Sequence, residues 1–91
     1  MNKARRTLID RECTAIRELV SQLRDHMEAL ESLRDEEQEC YDNMPEGLQG
    51  SDQGQRIEGI ANDLDSAIST LDSAISEVDN AVDEIEEAAN Q

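Results

Sequence analysis

The residues that could do chemistry are one histidine, His26, two cysteines, Cys13 and Cys40, and a large excess of carboxylates, 23 in a chain of 91 residues. A dimetal site inside a helical bundle needs Glu-x-x-His pairs directed at the core, but the residue three before His26 is Leu23. No calcium loop with its central Gly and closing Glu occurs, no Gly-rich phosphate loop, and no Cys-x-x-Cys pair. Cys40, followed by Tyr41, has no second histidine to serve as its base, so it is expected to pack at the end of a seam rather than act as a nucleophile. His26 is expected as an interior or interface imidazole. The sequence predicts no catalytic, metal or cofactor residue, and no enzyme.

Composition narrows the class further. Tyr41 is the only aromatic side chain besides His26, and there is no Trp or Phe, so Leu, Ile, Val, Ala and Met must do the packing. With Glu, Arg and Gln these residues favour helix, and one Pro and four Gly are too few to punctuate a β-fold. A single domain of residues 1–91 is therefore expected to be all-α. The net charge of −15 is uneven: residues 1–34 carry seven basic and six acidic side chains, while residues 57–91 carry ten carboxylates and no Lys or Arg. Such a surface repels nucleic acid and anionic membranes and attracts basic proteins; it also serves plain solubility. The basic residues near the start, Lys3, Arg5 and Arg6, are not followed by an apolar run, and no stretch is long enough to span a membrane, which predicts a cytoplasmic chain with reduced thiols.

The elements that must position these side chains follow from periodicity. With Ile9 as position a of a heptad, the first helix, expected from about residue 2 to 41, places Ile9, Ile16, Leu23, Leu30 and Met44 at a. Leu19, Leu33 and Cys40 fall at d, and Cys13, Val20, Met27 and Tyr41 at e. This is a broad apolar face, interrupted by Glu12 and His26 at d and Glu37 at a. Residues 42–51, with Pro45, Gly47 and Gly50, read as a helix stop and a turn. Ser51 or Asp52 can cap the second helix, with Gln55 placed for a capping box after Asp52.

The second helix, expected over about 52–89, repeats one formula: Leu64-Asp65-Ser66-Ala67-Ile68, Leu71-Asp72-Ser73-Ala74-Ile75, Val78-Asp79-Asn80-Ala81-Val82, and Ile85-Glu86-Glu87-Ala88-Ala89. Position a is large, d is Ala, e is mostly Ile or Val, and b is acidic throughout. A repeat of this kind is specific for a helix packed along its length. The Ala column lets a neighbouring helix approach closely.

A short connection makes the two helices antiparallel neighbours, giving a long coiled-coil-like two-helix hairpin. With the turn centred near Leu48, Arg17 faces Asp79 and Arg24 faces Asp72, two candidate intrachain salt bridges. The same register sets Asp10 near Glu86 and Glu31 near Asp65, like charge to like charge. Three apolar columns per helix exceed what one neighbour covers, which predicts a homodimer forming a four-helix bundle.

The stretch from Glu36 to Ser51, with its core Tyr41-Asp42-Asn43-Met44-Pro45-Glu46-Gly47-Leu48-Gln49-Gly50-Ser51, followed by an acidic heptad helix, resembles a pattern found in small proteins of bacteriophages and prophages. The resemblance implies an origin rather than an activity: short acidic proteins of this kind often modulate host proteins, defence systems among them. The leading expectation is thus a protein-binding inhibitor or adaptor that meets a basic host surface. Its candidate contacts are Glu36, Glu37, Glu39, Tyr41, Asp42, Asn43, Met44, Pro45 and Leu48 at the turn, and Asp65, Asp72 and Asp79 along the acidic column. Imitation of nucleic acid is a stricter version, weakened because Asp63, Glu77 and Glu84 lie on the opposite flank from the b column. Alternatives are a self-assembling scaffold coiled coil and a dimeric sponge holding a small nucleotide with Arg17, Arg24 or Arg34.

Overall fold

The computed structural model describes residues 1–91. It contains α1 (Lys3–Asp42), α2 (Glu46–Gln49) and α3 (Asp52–Ala89), and no strand. The two long helices begin and end within a residue or two of the boundaries expected from their periodicity. The four-residue α2 inside the turn was not expected.

Local hydrogen bonds explain each boundary. The Asn2 side-chain oxygen accepts from the Arg5 backbone N–H at 2.7 Å, capping α1. At the far end, the Gln49 amide donates to the Tyr41 carbonyl at 3.1 Å, satisfying a C-terminal carbonyl that the helix leaves open. Pro45, with φ −55° and ψ 142°, stands just before α2, and its carbonyl accepts from the N–H groups of Leu48 and Gln49. The cap of α3 is Ser51, whose hydroxyl oxygen accepts from the Gly54 N–H at 3.2 Å. Asp52 is the first helical residue instead, so the capping box with Gln55 does not form.

The helix pair divides into two compact units, Met1–Asp25 with Asp72–Gln91, and His26–Leu71. In the first unit Cys13, Val20, Ile75, Val82 and Ala89 are buried; in the second, Met27, Ala61 and Ile68. Every one of these is an e position. The seam therefore runs along e, and the wide a/d/e face expected from the sequence is only partly used. At about 100° per residue, e lies between a and b on the helix circumference, while d stands a further quarter-turn away. Ala67, Ala74, Ala81 and Ala88 at d are exposed, so the close neighbour anticipated for the Ala column is not α1.

This rotation accounts for the side chains that interrupted the apolar pattern. Glu12 and His26 at d are exposed and Glu37 at a is half-buried, and no polar or charged residue is buried. His26 is thus not an interior imidazole within the chain. Cys40, also at d, is exposed rather than packed at the end of the seam, while Cys13 is buried. Both thiols are free, and both lie on α1.

The N-terminal turn of α3 has its own packing role in the second unit. Gly54 is buried, and a methyl group there would lie 2.6 Å from the Leu48 carbonyl oxygen and 2.8 Å from the Gln49 carbonyl carbon. The first turn of α3 therefore sits directly on the α2 backbone, an approach that only glycine allows.

Candidate functional site

The seam has two unlike edges, and they are the features of the molecule that can act on anything else. In the first unit the b-side edge is ionic. Arg17 donates through Nη2 to Asp83 at 2.9 Å and to Glu86 at 3.0 Å, and through Nε to Glu86 at 3.3 Å. Arg24 Nη2 meets Asp79 at 2.6 Å. The hydrogen bonds that Arg17 donates to Glu86, then Asp83, raise its pKa further above its ordinary value. In the second unit Arg34 bridges Asp35 at 3.0 Å and Asp65 at 2.9 Å, and the same two carboxylates raise its pKa.

These pairs change the expected partners and keep the expected register. Arg17 meets Asp83 and Glu86 rather than Asp79, and Arg24 meets Asp79 rather than Asp72. The shorter contacts between α1 and α3 stay close to a symmetric turn: the Arg6 guanidinium donates to the Ala89 carbonyl at 2.8 Å, Arg34 meets Asp65, and Ile16, Val20 and Leu23 share a groove with Ala74, Ile75 and Val78. Side chains on a helix lean toward its N-terminus, which in an antiparallel pair is toward higher numbers on α3. The long arms of Arg17 and Arg24 therefore reach about one to two turns beyond the residue opposite them. Glu86 and Asp65, each expected near a like charge, are engaged by Arg17 and Arg34 instead.

The opposite edge of the first unit is apolar and open. Ile16, Leu19 and Leu23 of α1 and Ala74 and Val78 of α3 line a groove floored by Val20 and Ile75. Leu19 is 62% exposed and Leu23 39%. A second hollow lies among Leu8, Ile9, Ile16 and Ile85, rimmed by Arg5 and Glu12. In the second unit Leu30, Leu33 and Ile60 are likewise exposed. The contrast follows from where the charges sit: pairing Arg17 and Arg24 with α3 carboxylates draws the contact toward b and leaves a and d uncovered.

Most of the turn residues proposed as contacts are exposed. Glu36, Glu39, Asp42 and Asn43 are exposed, Glu37, Tyr41 and Met44 half-buried, and Pro45 and Leu48 exposed. Asp42 accepts a hydrogen bond from Gln38. Glu58, and after it burial, raises the pKa of Tyr41. Of the acidic column, Asp65 and Asp79 are engaged by Arg34 and Arg24, while Asp72 makes no ion pair. The free carboxylates of α3 instead include Asp63, Asp72, Glu77, Glu84 and Glu87, all exposed.

No group of His, Cys, Asp or Glu is gathered to hold a metal ion, and no helix is long and apolar enough to cross a membrane. The three arginines suggested for holding a nucleotide are all engaged by carboxylates. No protein-family model, curated protein or solved structure matches the chain.

Proposed function

We propose that this chain is a non-enzymatic protein-binding module, dimeric through its apolar edge, whose free carboxylates engage a basic surface on a foreign protein. The observation that carries the reading is the asymmetry of the seam. One edge is closed by arginine–carboxylate pairs, and the other exposes leucines that the chain itself does not cover. An apolar strip of that kind on a small helical protein marks an interaction surface. Outside the seam, the α3 carboxylates are exposed and unpaired, which steers a cationic partner and sets its orientation. The resemblance of the turn supplies the setting, a bacteriophage protein modulating a host protein, and a cytoplasmic one. Strict imitation of nucleic acid fits less well, because internal arginines neutralise Asp65, Asp79, Asp83 and Glu86 and break the line of charge.

The test is retention of host proteins on the immobilised chain across a salt series. Binding should weaken steeply with ionic strength and fall when Asp72, Glu77 and Glu84 become Asn, Gln and Gln, with helicity unchanged. Retention indifferent to both salt and these substitutions would refute the acidic surface. The open apolar edge also favours a second reading, a scaffold that assembles only with itself. Self-association with no foreign protein retained would select that reading.

A further inference from the structure

We infer that the open edge of the first unit is the interface with a second copy, with α1 of one copy lying against α3 of the other. This rests on the dimeric reading above and specifies its geometry. The chain exposes 6601 Å², whereas a folded monomer of 10.2 kDa ordinarily exposes about 5,300 Å². The excess of roughly 1,300 Å² is more than the ~800 Å² per partner that a standard stable interface removes. On the open edge a second copy would cover Leu19, Leu23 and Val78, which the chain itself leaves exposed.

Side-chain size selects which helices meet. On the open edge α1 presents Leu19 and Leu23, and α3 presents the smaller Ala74, Val78 and Ala81. Crossing α1 with α3 of the second copy sets the larger side chains over the smaller ones at both contacts, which keeps the helix spacing uniform and the packing dense. Pairing like with like would set leucine against leucine on one side and alanine and valine against their own kind on the other, giving two unequal spacings.

Charge makes the same selection independently. Beyond the apolar strip, the outer rim of α3 carries Glu77 and Glu84, and that of α1 carries Ala15 and Gln22, all exposed. Two copies of α3 side by side would bring these carboxylates together. With α1 opposite, they meet Ala15 and Gln22, and the exposed Glu12 shares its hollow with Arg5. The ionic edge with Arg17 and Arg24 then stays outside the interface.

Sedimentation equilibrium on the full chain tests this with two variants. The unaltered protein should be a dimer at micromolar concentration, and Leu19→Glu with Leu23→Glu should give a helical monomer, since both side chains are exposed and make no part of the intrachain core. Gln22→Lys should tighten the dimer several-fold at low salt by placing a cation near the second copy's acidic rim, and the gain should vanish in high salt. A monomeric unaltered chain, or a dimer indifferent to the double variant, overturns the interface. A dimer weakened by Gln22→Lys overturns the crossed arrangement, because that outcome requires α1 to face α1. A dimer that retains no basic protein leaves this inference standing and refutes the binding function; a monomer that retains one does the reverse.

Discussion

Two glycines of α3, five residues apart, should respond in opposite ways to the same substitution. Replacing a glycine inside a helix by alanine stabilises by about 0.8–1 kcal/mol, because the unfolded chain loses freedom and the helix gains a favourable residue. At Gly59 nothing lies within 4 Å of the added methyl, so Gly59→Ala should return that full gain. At Gly54 the same methyl would lie 2.6 Å from the Leu48 carbonyl oxygen and 2.8 Å from the Gln49 carbonyl carbon, both backbone atoms. Forcing such an overlap costs about 1–3 kcal/mol, and the helix gain is no larger in the first turn than at Gly59. The two melting temperatures should therefore differ by the clash itself, at least ~1 kcal/mol, or roughly 4–8 °C or more for a chain of this size. Circular dichroism at 222 nm during heating, at one fixed protein concentration, reads the difference. A Gly54→Ala variant that melts as high as Gly59→Ala would refute the contact between α3 and α2.

Other substitutions probe the seam. Arg24→Glu should destabilise the chain, with rescue by Asp79→Arg and none by Asp72→Arg; rescue by the latter in thermal melts would restore the pairing expected from the sequence. Ile75→Ala, at a side chain 1% exposed, should cost about 2–5 kcal/mol in urea denaturation, whereas Ser73→Ala, exposed two residues before it, should stay within about 0.5 kcal/mol. Cys40 should react with a maleimide at once under native conditions and Cys13 only as fast as the seam opens, which mass spectrometry of the labelled chain resolves; equal rates would contradict the burial. Burial, then Glu86 and Asp10, raise the Cys13 pKa, and Glu58 raises that of Tyr41. The fold thus favours both protonated forms, and their contribution is complete below the unfolded-state values of 9.0 and 10.0. It is lost as pH rises through the higher folded values, so stability should decline in alkali, and Cys13→Ala should remove the thiol's share of the decline.

Much of the fold was legible because it depends on period alone. The spacing of Leu64, Leu71, Val78 and Ile85, and the cluster of Pro45, Gly47 and Gly50, define two long helices and the break between them without any tertiary knowledge. What periodicity does not specify is rotation about the helix axis and sliding along it. Positions a, d and e are all apolar, so the choice of e as the seam was decided by Arg17 and Arg24 at b, whose attraction to α3 turns the contact toward their side. Sliding by seven residues leaves every column matched, so the columns that meet follow from the repeat, whereas the carboxylate each arginine reaches depends on the length and lean of its side chain. The turn from Asp42 to Ser51 was legible in part: Ser51 caps α3, one of the two caps expected there, whereas the four-residue α2 carries no periodic signal to announce it.

A repeat that fits itself every seven residues makes length in α3 nearly free and phase costly. Inserting or deleting a whole heptad in both arms would preserve every layer, so descendants of such a chain can lengthen or shorten in steps of seven with little effect on how the arms mesh. A single-residue insertion after Ile68 would swing the remaining residues by about 100°, carrying Ile75 and Val82 out of the seam. Drift in the sequence of this molecule should therefore be tolerant of size and intolerant of frame, with the short turn around Gly54 serving as the index mark from which the count begins.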